Sequence, residues 1–266
     1  MIGSVFLFWG CITAKTKDIV PNSEFIQSEA TSLPTETVGI RAVDTLGFIN
    51  LKEEFPALEN ELFFRLRRLE IDPGGSAAAH EHNNRPGVAY ILSGSITEYR
   101  KEGSYVRNTG DHSFEYTGIQ HGWRNHTDQP VQAIVVDVLA PKERPEIPNL
   151  PEQKPFVDAP AANNGLSMLK KELSSLNQEG MVFSDKSLRF RVVSLSPNGV
   201  VAAHTHQSRP SFAYVLSGTV VEHRGDADYT HQSGSSVAER NGLSHWWKNT
   251  GDSEAKLLVV DIISQE

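Results

Sequence analysis

Six of the ten histidines in this chain recur at fixed spacings. They are His80, His82 and His121 in the first half, and His204, His206 and His245 in the second half. In each set, one residue separates the first two histidines and the third follows 39 positions later. Alternate residues of a β-strand project to the same face, so each pair can point in one direction. Because neutral imidazole is a common ligand of transition metals, the spacing predicts two three-histidine metal sites.

The histidines repeat because the chain contains an internal duplication. Residues 61–139 align without a gap with residues 185–263, at an offset of 124 positions, and 28 of the 79 aligned positions are identical. The strongest shared blocks surround the histidine pair and the third histidine. Self-similarity at a fixed offset indicates repeated structural units, so two similar domains are expected.

Each repeat consists of short segments rich in β-branched and aromatic residues, separated by turns that contain Gly, Pro or Asn. The predicted strands include Leu62–Ile71, Val88–Leu92, Val131–Leu139, Ser187–Leu195, Phe212–Val221 and Lys256–Ile263. The segment Gly165–Gln178 fits either a short helix or the first strand of the second repeat. Many short strands favour a closed or sandwich-like barrel, because closure removes exposed strand edges.

The sequence divides into four predicted regions. Residues 1–40 combine an export or lipoprotein signal with a flexible polar arm, and residues 41–140 form the first domain. Residues 141–164 are a connector, since their six prolines exclude a regular helix or a central strand. Residues 165–266 form the second domain.

The segment 2–14 is strongly apolar but too short to span a bilayer, which takes about 20 residues. It is typical of a secretory signal, and Gly10-Cys11 resembles the lipidation point of a bacterial lipoprotein. An apolar first strand is the alternative. We expect an exported, periplasmic or lipid-anchored protein, attached to a membrane only through Cys11, and otherwise a cytoplasmic one.

The charge balance argues against a nucleic-acid-binding protein. Lys and Arg total 25 against 33 Asp and Glu, a net charge of −8, whereas phosphate binding needs concentrated positive charge. A single cysteine excludes a disulfide framework and a thiolate zinc cluster within this sequence. The expected partner is a small anionic molecule, and a homodimer is a further possibility for the oligomeric state.

The two histidine motifs resemble those of the cupin family, Gly-x5-His-x-His-x(3,4)-Glu-x6-Gly and Gly-x5-Pro-x-Gly-x2-His-x3-Asn. Besides the histidines, the matching residues are Gly74, Gly94, Gly110, Gly118 and Asn125, and in the second repeat Gly218, Gly234, Gly242 and Asn249. The resemblance covers nearly all of residues 42–266 and is that of a bicupin. It implies an all-β fold of two jelly-roll barrels, each with a divalent metal. Iron(II) is favoured, with manganese, nickel and zinc as alternatives.

The glutamate of the first motif is missing from both repeats, where Gly87 and Ser211 stand instead. Three neutral ligands leave a divalent cation its full charge and open positions, which favours an anionic, bidentate substrate. The arrangement resembles that of three-histidine cupins such as thiol, gentisate and diketone dioxygenases, which are ferrous enzymes.

Four further residues are candidate catalytic groups. Arg85 and Arg209 follow the histidine pairs by three positions, where a guanidinium can bind a carboxylate through two parallel hydrogen bonds. A structural ion pair is the alternative for both. Glu115 and Glu239 precede the third histidine by six positions and are candidates for a fourth ligand or a general base.

Other repeated residues receive structural interpretations. Glu98 and Glu222 could also serve as a ligand or base, but solvent-facing ion pairs with Arg100 and Arg224 are favoured. The aromatic pairs are expected in a pocket wall or a barrel core: Tyr90, Tyr214, Trp123 and Trp247. The other histidines are expected at the surface: His112, His126, His223 and His231.

Three functions are compatible with these residues. The favoured one is a metalloenzyme that uses O2 or Lewis-acid chemistry on a small organic acid, a degraded carbohydrate or an aromatic compound. The second is a non-catalytic, exported cupin that captures a metabolite or metal. The third is a metal-dependent isomerase or epimerase, in which a glutamate or tyrosine moves a proton. Fold similarity cannot separate them, because one fold hosts unrelated chemistries.

Overall fold

The computed structural model describes residues 25–26, 32–156, 158–176, 183 and 185–265. The apolar run 2–14, with Cys11 and the predicted export signal, lies outside the described residues. Among the residues described, no helix is long and apolar enough to cross a membrane.

The first domain is a sheet of antiparallel strands. They are β1 (Phe25–Ile26), β2 (Val38–Asn50), β3 (Phe63–Glu81), β4 (Gly87–Ser93), β5 (Ser95–Arg100), β6 (Gly103–Asn108), β7 (His112–Glu115), β8 (Gln120–Arg124) and β9 (Val131–Leu139). A short helix, α1 (Leu51–Glu54), follows β2. The strand order is β1-β6-β5-β8-β3-β9-β4-β7, and β2 pairs with β3.

The second domain repeats this topology. Its strands are β10 (Asn164–Ser175), β11 (Lys186–Thr205), β12 (Ser211–Ser217), β13 (Thr219–Arg224), β14 (Ala227–Gln232), β15 (Ser236–Glu239), β16 (Ser244–Asn249) and β17 (Ala255–Ser264). The order β14-β13-β16-β11-β17-β12-β15 matches that of the first domain from β6 to β7, and β10 pairs with β11 as β2 does with β3. The predicted all-β fold of two barrels is confirmed.

Two long strands change partners half-way, and this places the histidines. β3 pairs with β9 up to Ile71 and with β8 from Ser76 onward. The change occurs around Gly74, whose φ of 73° is a left-handed conformation that glycine adopts freely. In β11 the equivalent Asn198 has a φ of 60°, and asparagine is among the few other residues that tolerate it. The first histidine of each pair therefore lies on the second half of a strand that crosses the barrel, and the second histidine directly follows the end of that strand.

Among the residues that the structure describes, the hydrophobic core has three parts. One cluster fills each barrel, and a third joins residues of both domains. In this shared cluster the rings of Phe64 and Phe212 lie 5.1 Å apart, and Tyr90 and Tyr214 belong to it as well. Burial of large aromatic side chains between the domains opposes their separation.

The structure decides one alternative that the sequence left open and divides one predicted strand. The segment Gly165–Gln178 is a strand through Ser175 rather than a helix, because it pairs along most of its length with β11. The predicted strand Phe212–Val221 is two strands, since Gly218 at a φ of 83° turns the chain between β12 and β13.

Candidate metal centres

The six repeated histidines converge in two groups of three. The long strands β3 and β11 carry the first histidine of each pair, and β8 and β16 carry the third. His80 lies opposite His121 in the antiparallel register, as His204 lies opposite His245. Directly opposite residues share one face of a sheet, which explains how histidines 41 positions apart meet.

Each histidine of the first group is held by a hydrogen bond through Nδ1. His80 donates to the carbonyl oxygen of Ala78 at 2.9 Å, and His82 donates to that of Arg85 at 3.1 Å. His121 donates to Oε1 of Glu98 at 2.9 Å. Because a carbonyl or an ionised carboxylate can only accept, the neutral rings carry their hydrogen on Nδ1. Their Nε2 atoms therefore present lone pairs to the barrel interior.

The second group uses equivalent partners. His204 donates to the carbonyl oxygen of Ala202 at 2.9 Å, and His206 donates to that of Arg209 at 3.0 Å. His245 donates to Oε1 of Glu222 at 2.6 Å. The same tautomer follows for all three rings.

The Nε2 atoms of each group face one another at short range. Nε2 of His82 lies 3.1 Å from that of His80 and 2.9 Å from that of His121. In the second domain, Nε2 of His245 lies 3.1 Å from Nε2 of both partner histidines. Converging lone pairs need a shared cation, and ligands ~2.1 Å from one ion at right angles lie about 3 Å apart. The donor sets therefore fit a divalent metal bound on one face.

Burial keeps these ligands neutral. Removal from water lowers the pKa of His82 to about 3 and that of His204 to about 4, and it also lowers the pKa of His80 and His206. A histidine must lose its second proton before it can bind a metal, so both sites are preset for binding at neutral pH.

Glu98 and Glu222 are fully buried, so the expected solvent-facing position is wrong. The expected arginine pairs are present, with Arg100 Nε 2.8 Å from Glu98 Oε1 and the equivalent pair at 2.7 Å. Burial alone would raise the pKa of Glu98, but the hydrogen bond from His121 and the nearby arginine charges lower it to about 2. Each carboxylate thus orients the third histidine. The sequence of β5 did not reveal this role, because the alternation of its residues does not show which face of the strand is buried.

Glu115 and Glu239 lie beside the histidines on strands β7 and β15, and both are nearly fully buried. Oε1 of Glu115 lies 3.7 Å from Nε2 of His121. The oxygens of Glu239 lie 3.6 Å from Nε2 of His206 and of His245. Burial raises the pKa of Glu115.

Each predicted arginine belongs to a cluster around a buried aspartate. Asp137 lies 2.7, 3.6 and 3.8 Å from the guanidinium groups of Arg65, Arg67 and Arg85. Asp261 lies 2.5, 3.1 and 3.6 Å from those of Arg189, Arg191 and Arg209. The sequence interpretation missed both aspartates and four of the arginines. Their identity at the 124-residue offset was the available signal.

A cavity opens onto each group of histidines. The first, about 460 Å³, is lined by His80, His121, Glu115, Arg67 and Arg85, with apolar walls that include Trp123 and Val135. The second, about 310 Å³, is lined by the equivalent residues His204, Glu239, Arg191, Arg209, Trp247 and Val259. Trp123 and Trp247 are thus pocket walls. Each cavity combines metal ligands, a carboxyl group, two guanidiniums and an apolar wall, which suits a small organic acid.

A cupin-domain family profile matches residues 67–137 and again residues 191–261. The two matches contain all six histidines, both glutamates of the cavities and both buried aspartates. The chain belongs to the cupin family. It is a bicupin, as its repeated motifs predict.

Solved structures show the same fold at low sequence identity. AerE from Microcystis aeruginosa is 13% identical with a TM-score of 0.52, covering 92% of this bicupin and 98% of that chain. The E162A mutant of Bacillus subtilis oxalate decarboxylase is 14% identical with a TM-score of 0.51, covering 92% and 78%. Protein Ylba from E. coli is 15% identical with a TM-score of 0.50, covering 86% and 87%. No curated protein matches this sequence.

Two of the non-repeated histidines of the bicupin are not surface residues. His112 is buried between the domains, where its ring stacks on Phe190 at 4.4 Å and its Nε2 lies 2.9 Å from Glu172. Nε2 of His231 donates to Glu222 at 3.0 Å, in the position that Arg107 occupies beside Glu98. His112 was missed because its partners come from the other domain, and His231 because the sequence does not show that Glu222 on the paired strand is buried.

Proposed function

We propose that this bicupin is a metal-dependent enzyme that acts on a small organic carboxylate. The observation that carries the proposal is the pair of arginines in each cavity, Arg67 with Arg85 and Arg191 with Arg209, which share the cavity with the histidines. The metal would bind one part of the substrate and the arginines its carboxylate.

The charge around the buried aspartates supports an anionic substrate. Three guanidiniums surround the single carboxylate of Asp137, and the same holds for Asp261. Even with the nearby carboxyl of Glu115 or Glu239 counted, the guanidiniums outnumber the carboxyl groups at each cluster. Buried charge is stable only when it is paired. Nε of Arg67 and Nε of Arg191 are buried without a hydrogen-bond partner. A substrate carboxylate would supply both the missing charge and the missing acceptors.

The division of labour in the cavity follows from these positions. A divalent metal held by the histidines would supply Lewis-acid polarisation of a substrate oxygen or, if it is redox-active, activation of O2. The arginines would bind and orient the carboxylate, and Trp123 or Trp247 would shield the reacting end from water. Iron(II) is the favoured metal by resemblance to three-histidine dioxygenases, whereas the structurally similar oxalate decarboxylase from Bacillus subtilis contains Mn(II) centres.

Ligand binding to the metal-loaded protein tests the proposal. The protein is loaded anaerobically with Fe(II) or Mn(II) and titrated with small mono-, hydroxy- and 2-oxo-carboxylates, each beside its uncharged amide. We expect carboxylates to raise the melting temperature through mass action and amides to have no effect. Arg209→Ala combined with Arg85→Ala should abolish the shift, whereas Arg144→Ala, which removes an exposed arginine, should not.

Three results would overturn a part of this proposal or favour another function. Equal stabilisation by amides and carboxylates would exclude the arginine pair as the recognition element. Tight carboxylate binding without consumption of O2 or substrate under any metal would instead support a non-catalytic binding protein. Solvent deuterium incorporated into the ligand without O2 uptake would support the isomerase.

A further inference from the structure

We propose that Glu115 and Glu239 are the fourth protein ligands of the two metals. Each lies on the strand next to the one where the family motif places its glutamate. The inference rests on the metal-binding part of the proposed function. It decides between the two roles, fourth ligand and general base, that the sequence leaves open for these glutamates.

The position of each glutamate follows from the strand register. Glu115 on β7 lies directly opposite Gly87 on β4, and Glu239 on β15 lies directly opposite Ser211 on β12. Gly87 and Ser211 are the positions where the family motif carries its glutamate. Opposite residues of an antiparallel pair project to the same face. The carboxylate thus reaches the same face of the sheet from the neighbouring strand.

The local packing accounts for the exchange in the first domain. A Cβ atom at Gly87 would lie 2.6 Å from the carbonyl oxygen of Val136, closer than real Cβ contacts allow. A glutamate at position 87 is therefore incompatible with this backbone. Because Gly87 leaves the face empty, the longer side chain of Glu115 has room there.

The surroundings of Glu115 call for a cation. Its side chain is only 4% exposed, and Oε2 is buried without a hydrogen-bond partner. Its Oε1 faces Nε2 of His121 at 3.7 Å, but that nitrogen carries a lone pair because its ring donates through Nδ1. Two acceptors at this distance are bridged by a metal ion or by a proton, and a metal that binds the histidines satisfies both.

Glu239 repeats the arrangement with closer geometry. Its two oxygens lie 3.6 Å from Nε2 of His206 and from Nε2 of His245, so the carboxylate faces two of the three nitrogens at once. A shift of about 0.6 Å would bring one oxygen from 3.6 Å to the spacing of about 3 Å expected between adjacent ligands of one ion. The occurrence of the same contact in both domains is hard to reconcile with chance packing.

The test measures metal binding in full-length chains with one working site. His80→Ala and His121→Ala together disable the first site, and Glu239→Gln is then introduced into that background. We expect the dissociation constant for Mn(II) to rise by more than about tenfold, since even an indirect partner of a metal ligand contributes 10- to 100-fold. The visible spectrum of the Co(II)-loaded protein should also change, because the donor set changes.

Asp111→Asn is the matched control, because Asp111 is a buried carboxyl of the first domain, on the loop before β7, and is not part of the group of histidines being measured. It should leave the affinity and the Co(II) spectrum unaltered. Thermal unfolding of the metal-free variants verifies that each chain folds.

An affinity and a Co(II) spectrum of the Glu239→Gln variant that match the control would overturn the inference while leaving the metal sites standing. If the parent chain binds no metal, the proposed function fails together with the inference.

Discussion

Glu98 accepts a hydrogen bond from Nδ1 of His121 at 2.9 Å, and Glu222 accepts the equivalent bond from His245 at 2.6 Å. The carboxylate fixes the ring so that Nε2 points at the other two histidines. It also makes the imidazole a stronger donor to a cation. Each carboxylate can therefore raise the metal affinity of its site through the histidine, without contacting the metal itself.

The first prediction concerns this bond. Glu222→Gln should weaken metal binding at the second site by roughly 10- to 100-fold, because an amide neither carries the negative charge nor enforces one tautomer of His245. Isothermal titration with Mn(II) in a chain whose first site is disabled measures the change. Glu254→Gln, at the surface, is the control. Equal affinities of the two variants would show that orientation by Glu222 is unimportant.

The second prediction concerns stoichiometry. Because the two groups of histidines lie in separate barrels, His121→Ala should reduce bound metal from about two ions to one per chain, and His121→Ala with His245→Ala should reduce it to none. Metal analysis after dialysis gives the answer directly. His126→Ala, which removes an exposed histidine, should leave both ions in place. A single His→Ala change that empties both sites would contradict independent binding.

The third prediction concerns the stability of the metal-free protein against pH. Burial holds the pKa of His82 near 3 and that of His204 near 4 in the folded state, against about 6.5 when the chain is unfolded. The unfolded chain therefore binds more protons between these values, and the free energy of unfolding should fall as the pH decreases from about 6.5 towards 4. Above pH 7 both states are neutral and these histidines add no pH dependence.

Urea denaturation at several pH values, with a chelator present, measures this slope. His82→Gln with His204→Gln should reduce the slope between pH 6.5 and 4, because glutamine does not titrate. Bound metal should steepen the loss, since protons compete for the same nitrogens. An unchanged slope in the double variant would assign the acid sensitivity to other groups.

Much of this architecture could be predicted from the sequence, because it depends on local spacing. The His-x-His spacing predicted that each pair points in one direction, and the recurrence of the third histidine at the same spacing in both repeats indicated that it belongs to the same site. The burial of Glu98 could not be predicted, because the face a strand residue occupies depends on register with distant strands. The cluster of Arg67 with Asp137 joins residues 70 positions apart, and His112 stacks on Phe190 of the other domain.

The fourth prediction concerns the joint between the domains. Phe212 is 2% exposed, and its ring centroid lies 5.1 Å from that of Phe64. It also packs against Gly47, where an added Cβ atom would lie 3.0 Å from Cε1 of Phe212. Phe212→Ala should lower the free energy of unfolding by about 3–5 kcal/mol. Val43→Ala, at an exposed position of β2, should change it by less than about 0.5 kcal/mol. Calorimetry would detect the loss, and two separate transitions would show that the domains had uncoupled.

The fifth prediction concerns the aspartate at the centre of each arginine cluster. Asp261 is fully buried and is the negative charge that three guanidiniums share. Asp261→Asn keeps the shape and the acceptor oxygen but leaves three like charges together, so we expect a loss of about 3–5 kcal/mol of stability. Asp226→Asn, which removes an exposed partner of Lys154, should cost little because solvent screens ion pairs at the surface. A small carboxylate such as acetate should stabilise the Asp261→Asn variant more than the parent chain, since it can take the place of the missing charge. If acetate stabilises both equally, the arginine cluster is a structural unit and carboxylate recognition must lie elsewhere in the cavity.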